Sequence, residues 1–136
     1  MAKLEDAAAG APVHAAAWSR WRCGSKPASA CGMYIVTITY PKSPESTFDF
    51  DYFRTRHLPE VGKAFGPFGL GFASVLRGEQ SLDGKDPAFY VTTILSFATE
   101  EGARGAVASD AAKALARDIA NFTSVKPLMQ FNTAVR

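Results

Sequence analysis

From Met33 onward the spacing of apolar positions changes period several times, and each change marks an element. Residues 33–40 are almost all β-branched or aromatic and read as a strand, with Tyr34, Val36, Ile38 and Tyr40 on one face. Ile35, Thr37 and Thr39 make the other face only mildly polar, so both faces are expected to be covered. After a loop over 41–47, Phe50, Phe53, His57, Val61 and Ala64 recur at steps of three and four, while Arg54, Arg56, Glu60 and Lys63 fall mainly elsewhere. That is one amphipathic helix, with Asp49 as N-cap, Asp51 in its first turn and Gly66-Pro67 as a stop. A weaker strand is expected over 72–79, with Phe72, Ser74 and Leu76 opposite Ala73, Val75 and Arg77; a loop containing Asp83-Gly84 follows. Residues 89–97 form the next strand, again apolar on both faces. Thr99 then caps a second helix, acidic in its first turn, whose stripe runs through Ala103, Ala106, Val107, Ala111, Leu115 and Ile119; Gly102 and Gly105 weaken it locally. Residues 118–126 leave the helical pattern, Pro127 closes them, and 128–135 read as a last strand.

Strand, helix, strand, strand, helix, strand is the order of a ferredoxin-like βαββαβ domain, an α+β fold. It has a four-stranded antiparallel sheet with both helices on one face. The other face here carries Tyr, Phe, Ile and Leu rather than charge, so it must meet a second copy or a ligand.

Pro59 is the anomaly in the first helix. It has no N–H to offer the preceding turn, its ring crowds that turn, and it biases Leu58 away from helical angles, so a kink or break is expected beside His57. A freed carbonyl and open space around an imidazole have two readings: a buried histidine satisfied by that carbonyl, or a group held ready for chemistry.

Composition alters little. The length suits one domain, and 47% apolar with 21% charged residues is ordinary for a globular chain. No apolar run approaches the ~20 residues that span a bilayer, so no membrane association is expected. The whole excess of +2 sits in residues 1–32, where Lys3, Arg20, Arg22 and Lys26 face Glu5 and Asp6. From Met33 onward the charges balance, which leaves no basic stripe for nucleic acid. Residues 1–32 are rich in Ala, Gly, Ser and Pro and are expected to be a mostly disordered extension to a domain over 33–136. A start placed too far upstream, with Met33 as the true one, is preferred to a flexible tail or an import signal. Cys23 and Cys31 lie in that extension; a disulfide between them is open, and their spacing matches no common metal pattern. A cysteine-free body fits a reducing compartment, so the expected location is cytoplasmic.

The run Phe48-Asp49-x-Asp51-Tyr52-Phe53-x-x-x-His57-x-Pro59-x-Val61, preceded by Tyr40-Pro41 and followed by Gly66-Pro67-Phe68-Gly69, resembles the signature of the EthD-like proteins, named for ethyl tert-butyl ether degradation. Asn121-Phe122-Thr123 with Pro127 resembles that family's C-terminal pattern. The resemblance implies a dimeric α+β barrel, a homodimer in which two ferredoxin-like sheets face each other and an apolar pocket takes a small hydrophobic or aromatic ligand. The wider superfamily holds cofactor-free isomerases of lactones, polyketide cyclases and decarboxylases, haem-degrading monooxygenases and stress-response proteins, so fold alone does not choose the chemistry. In EthD-like proteins the histidine matched by His57 is the usual candidate for proton transfer.

An imidazole with an ordinary pKa near ~6.5 suits acid or base work at neutral pH. Tyr40, at the end of the first strand, and Tyr52, on the helix, can each hydrogen-bond a substrate oxygen, against the alternative of core tyrosines with the hydroxyl at the rim. Phe53 and Phe72 are candidate pocket walls, although phenylalanines at such spacings primarily build core. No phosphate loop, GxSxG elbow or metal-ligand set is present, and no cofactor or metal is expected. Nothing in the chain separates a haem ligand at His57 from a proton shuttle. Two functions follow. One is a cofactor-free enzyme with His57 as acid or base, carrying out isomerisation, cyclisation or decarboxylation of an aromatic, polyketide-like or lactone substrate. The other is a non-catalytic binding protein that assists an oxygenase in catabolism of a small hydrophobic compound such as an ether. A pocket reaching both His57 and Tyr40 would favour the first, a cavity filled by Phe side chains the second.

Overall fold

The computed structural model describes residues 33–135; the N-terminal extension, with Cys23 and Cys31, lies outside them. Four strands, β1 (Tyr34–Pro41), β2 (Leu70–Arg77), β3 (Phe89–Phe97) and β4 (Leu128–Asn132), make one antiparallel sheet in the order β2-β3-β1-β4. The two central strands were the ones whose sequence was apolar on both faces. β4 is shorter than its apolar alternation suggested. Its register puts Asn132 opposite Ile35, one residue from the start of β1, so Thr133–Val135 have almost nothing left to pair with.

Val36, Leu95 and Phe97 point from the sheet into a core shared with Val61, Phe65, Ala103 and Ala106 of the helices. A second cluster, Tyr40, Phe53, Val91 and Phe122, fills the end of the layer where the first helix begins. The opposite sheet face carries Phe72, Leu76 and Leu128, at 49%, 53% and 61% exposure, among Thr, Ser, Gln and Asn side chains. Among the described residues no helix covers that face, and no helix is long and apolar enough to cross a membrane.

The first helix, α1, neither breaks nor leaves helical angles at Leu58. It runs as an α turn (Phe50–Tyr52), a π segment (Phe53–His57) and an α segment (Leu58–Phe65), and Leu58 itself has φ −60° and ψ −41°. The N–H of Leu58 bonds to the carbonyl of Phe53, five residues back, so the wider π turn takes up the strain that a kink would have relieved. Pro59 then falls in the first turn of the α segment. The helix continues past Gly66 into a tight 3-10 turn and stops only at Gly69, whose φ of +92° is left-handed and favours glycine.

The second helix is two. α2 (Glu100–Ala108) ends where Ser109 turns to an extended ψ of 162°, and α3 (Asp110–Asp118) begins with the Ser109 side chain accepting from the N–H of Ala112. Periodicity carried through the break because the apolar stripes of both pieces pack on the same core cluster, through Ala103 and Ala106 of α2 and Ala112 and Leu115 of α3. Gly102 and Gly105 lie against Phe68: a Cβ at Gly102 would collide with its carbonyl oxygen, and one at Gly105 would press on its ring at 3.3 Å. They allow α2 to close on the 3-10 turn that ends α1.

Candidate functional site

Asp49 begins the site, because its side chain caps α1 by accepting from the N–H of Tyr52 while its own N–H donates to the carbonyl of Phe122. A bridge between Phe48 and Thr123, and a hydrogen bond from Thr123 Oγ1 to the carbonyl of Thr47, tie the helix entrance to the segment after α3. Phe122 is thereby held against His57, with ring centroids 4.6 Å apart, and Phe53 stacks on the imidazole at 5.7 Å. His57 ends the π segment at 5% exposure.

The imidazole is oriented by a residue the sequence did not single out. Asp118, at the end of α3, takes His57 Nδ1 at 2.9 Å on one carboxylate oxygen; on the other it accepts from Tyr52 Oη at 2.7 Å and Asn121 Nδ2 at 2.9 Å. A carboxylate only accepts, so Nδ1 carries the proton and Nε2 of the neutral ring is the free base. Partial burial pushes the Asp118 carboxyl up, but the hydrogen bonds from Asn121, His57 and Tyr52 together outweigh it and hold the acid below its ordinary value.

Nε2 has no hydrogen-bond partner among the described residues, and neither does the Tyr40 hydroxyl. His57 and Tyr40, 5% and 1% exposed, share the lining of one free space. That space is an apolar cavity of about 200 Å³ between helices and sheet, lined by both residues. Its walls include Val36, Ile38, Val61, Leu115 and Ile119, with Phe65 the single phenylalanine. Asp118 is absent from the lining, so the imidazole stands between carboxylate and cavity. The Tyr40 hydroxyl is pushed well above the ordinary range by burial, and further by the negative charge of Asp118. At neutral pH it is a neutral hydroxyl on a residue of the cavity lining.

The remaining candidates sit elsewhere. Tyr52 bonds to Asp118 in an outer groove between α1 and α3, and burial adds to that hydrogen bond in raising its pKa. Phe53 is buried in the aromatic cluster behind Tyr40 and His57 and does not line the cavity. Phe72 is half-exposed on the far face of the sheet. Asp118 could not be found by spacing, since 61 positions separate it from His57 and it reads as an ordinary acid at a helix end. Among the described residues no three His, Cys, Asp or Glu side chains gather into a metal-ligand set.

Solved structures resemble this chain along most of its length. An EthD-like protein from Ralstonia eutropha JMP134 is 29% identical, with a TM-score of 0.68 over 77% of this chain and 94% of that one. A protein of the ethyl tert-butyl ether (EthD) family from Bacillus halodurans C-125 is 22% identical, with a TM-score of 0.62 over 76% and 99%. SnoaB from Streptomyces nogalater, a cofactor-independent oxygenase, shares the fold at 15% identity, with a TM-score of 0.53 over 77% and 96%. No family model matches the sequence. No curated protein matches it either.

Proposed function

We propose that this chain, whose structural neighbours are EthD-like proteins, is a cofactor-free enzyme of small aromatic, polyketide-like or lactone compounds, working as a cytoplasmic homodimer with His57 as acid and base. The observation that carries this reading is that His57 and Tyr40 line one apolar cavity, with His57 Nδ1 anchored to Asp118 and Nε2 left without a hydrogen-bond partner among the described residues. Nε2 takes a proton from the carbon or oxygen acid of the substrate. The imidazolium formed is stabilised by Asp118, and the Tyr40 hydroxyl donates to the developing enolate or phenolate oxygen. Returning the proton to another atom completes an isomerisation; in a cyclisation the enolate carbon first bonds to a carbonyl carbon of the same molecule and the imidazolium protonates the alkoxide so formed, and in a decarboxylation the proton goes to the carbon that bears the carboxylate as its bond to carbon dioxide breaks. The uncharged sheet face with Leu76 and Leu128 exposed supports pairing of two copies.

The test is a turnover screen of enolisable aromatic compounds. His57→Ala should lower kcat by about 10²–10⁴-fold, the range of positioned acid-base groups, while ligand binding persists. Unchanged turnover in that variant refutes the mechanism. A ligand bound without turnover by the unmodified protein would instead support the accessory role.

A further inference from the structure

The cavity is electrically uneven. At its floor the charge of Asp118 lies directly behind His57 and acts on Tyr40. At its rim the lining includes Lys113, whose side chain is 68% exposed, alongside Val107 and Met129, 42% and 52% exposed. Among the described residues no acidic side chain lines the cavity. Over Ala116, Ile119 and Met129 it continues into an open trough of about 610 Å³, where Lys126 is the one charged lining residue among those described. Among the described residues Lys113 has one carboxylate neighbour, Asp110 at 3.8 Å and itself fully exposed, a contact that holds the ammonium only loosely.

From this polarity we infer that the substrate is an aromatic acid seated with its ring in the cavity and a non-reacting carboxylate at the rim, paired with Lys113. A carboxylate on the floor would face Asp118 through an imidazole already committed to it. At the rim it meets a cation and stays hydrated. The inference rests on the proposed acid-base reading of the cavity and narrows it: with the acid group outward, the group presented to His57 and Tyr40 is a phenol or enolisable carbonyl. Proton transfer without loss of that carboxylate is then the reaction, and Lys113 determines specificity without touching the reacting atoms.

Two probes of equal size decide it, 4-hydroxyphenylacetate and its uncharged amide, 4-hydroxyphenylacetamide, titrated into the full chain while the His57 Cε1–H resonance is followed. Both should move that resonance. The acid should bind about two- to fivefold more tightly at low salt, as expected for an exposed ion pair, and the advantage should vanish by ~0.5 M salt. It should also vanish in Lys113→Gln and survive in Lys126→Gln. Equal affinities for the two probes overturn the inference and leave the acid-base reading standing. An advantage that persists in Lys113→Gln overturns the assignment to that lysine. If neither probe moves the His57 resonance, the cavity is not the binding site and both readings fall.

Discussion

Removing the Asp118 carboxylate is the sharpest structural test of the site, because three donors converge on it. In Asp118→Ala the donors of Tyr52 and Asn121 can turn to water, whereas His57 Nδ1 belongs to a side chain only 6% exposed. An unpaired buried donor costs about 1–3 kcal/mol, so a loss near ~2 kcal/mol is expected in urea unfolding at pH 7. Asp118→Asn keeps one acceptor oxygen and should lose roughly half as much. The folded carboxyl titrates below its ordinary 3.8. The stability it contributes is therefore fully present above that pH and is lost as pH falls through the folded value, so the gap between wild type and variant should narrow in acid. A second readout does not depend on stability. With two histidines in the chain, the long-range 1H–15N spectrum is simple, and neutral His57 should be the Nδ1–H tautomer in wild type but a mixture in Asp118→Ala. A variant within ~0.5 kcal/mol of wild type at neutral pH, or one with an unchanged tautomer, would refute the claim that Asp118 orients the imidazole.

Gly102→Ala should destabilise despite the better helix propensity of alanine: the ~1 kcal/mol gained is outweighed by a collision with the Phe68 carbonyl costing about 1–3 kcal/mol. A raised melting temperature would contradict this. Tyr40, whose folded pKa lies above the ordinary 10.0, contributes stability that is complete below that pH and lost as pH rises past it. Unfolding free energies measured between neutral pH and pH 11 should thus fall more steeply for wild type than for Tyr40→Phe, and parallel curves would remove the argument. Leu76→Glu places a charge on the sheet face that no helix among the described residues covers. It should shift sedimentation from dimer towards monomer, and a wild type that is monomeric at micromolar concentration would end the homodimer proposal.

The fold was legible because its determinants are local and periodic. Alternation in 34–41 and 89–97, a 3.6-residue stripe in α1 and turn residues between them follow from burying one or both faces of each element. The same periodicity concealed the Ser109 break, since two short helices packed on one core cluster present the stripe of one long helix. Pro59 marked an irregularity beside His57, but the expected kink or break is a π turn; steric rules for proline could not choose between them, and the widened turn is packed by Phe53, Phe122 and Tyr40.

His57 and Tyr40 could be nominated as candidates from chain pattern and residue chemistry alone. Their meeting in one cavity required α1 to lie across β1, and the pairing of Nδ1 with Asp118 required α3 to end beside the π turn. Sequence by itself determined the order of elements, the faces they bury and the residue types able to move a proton. Tertiary structure decided which carboxylate stands behind the imidazole, which nitrogen it leaves free and which end of the cavity is negative. Those properties depend on distances between residues far apart in the chain, and no local pattern encodes them.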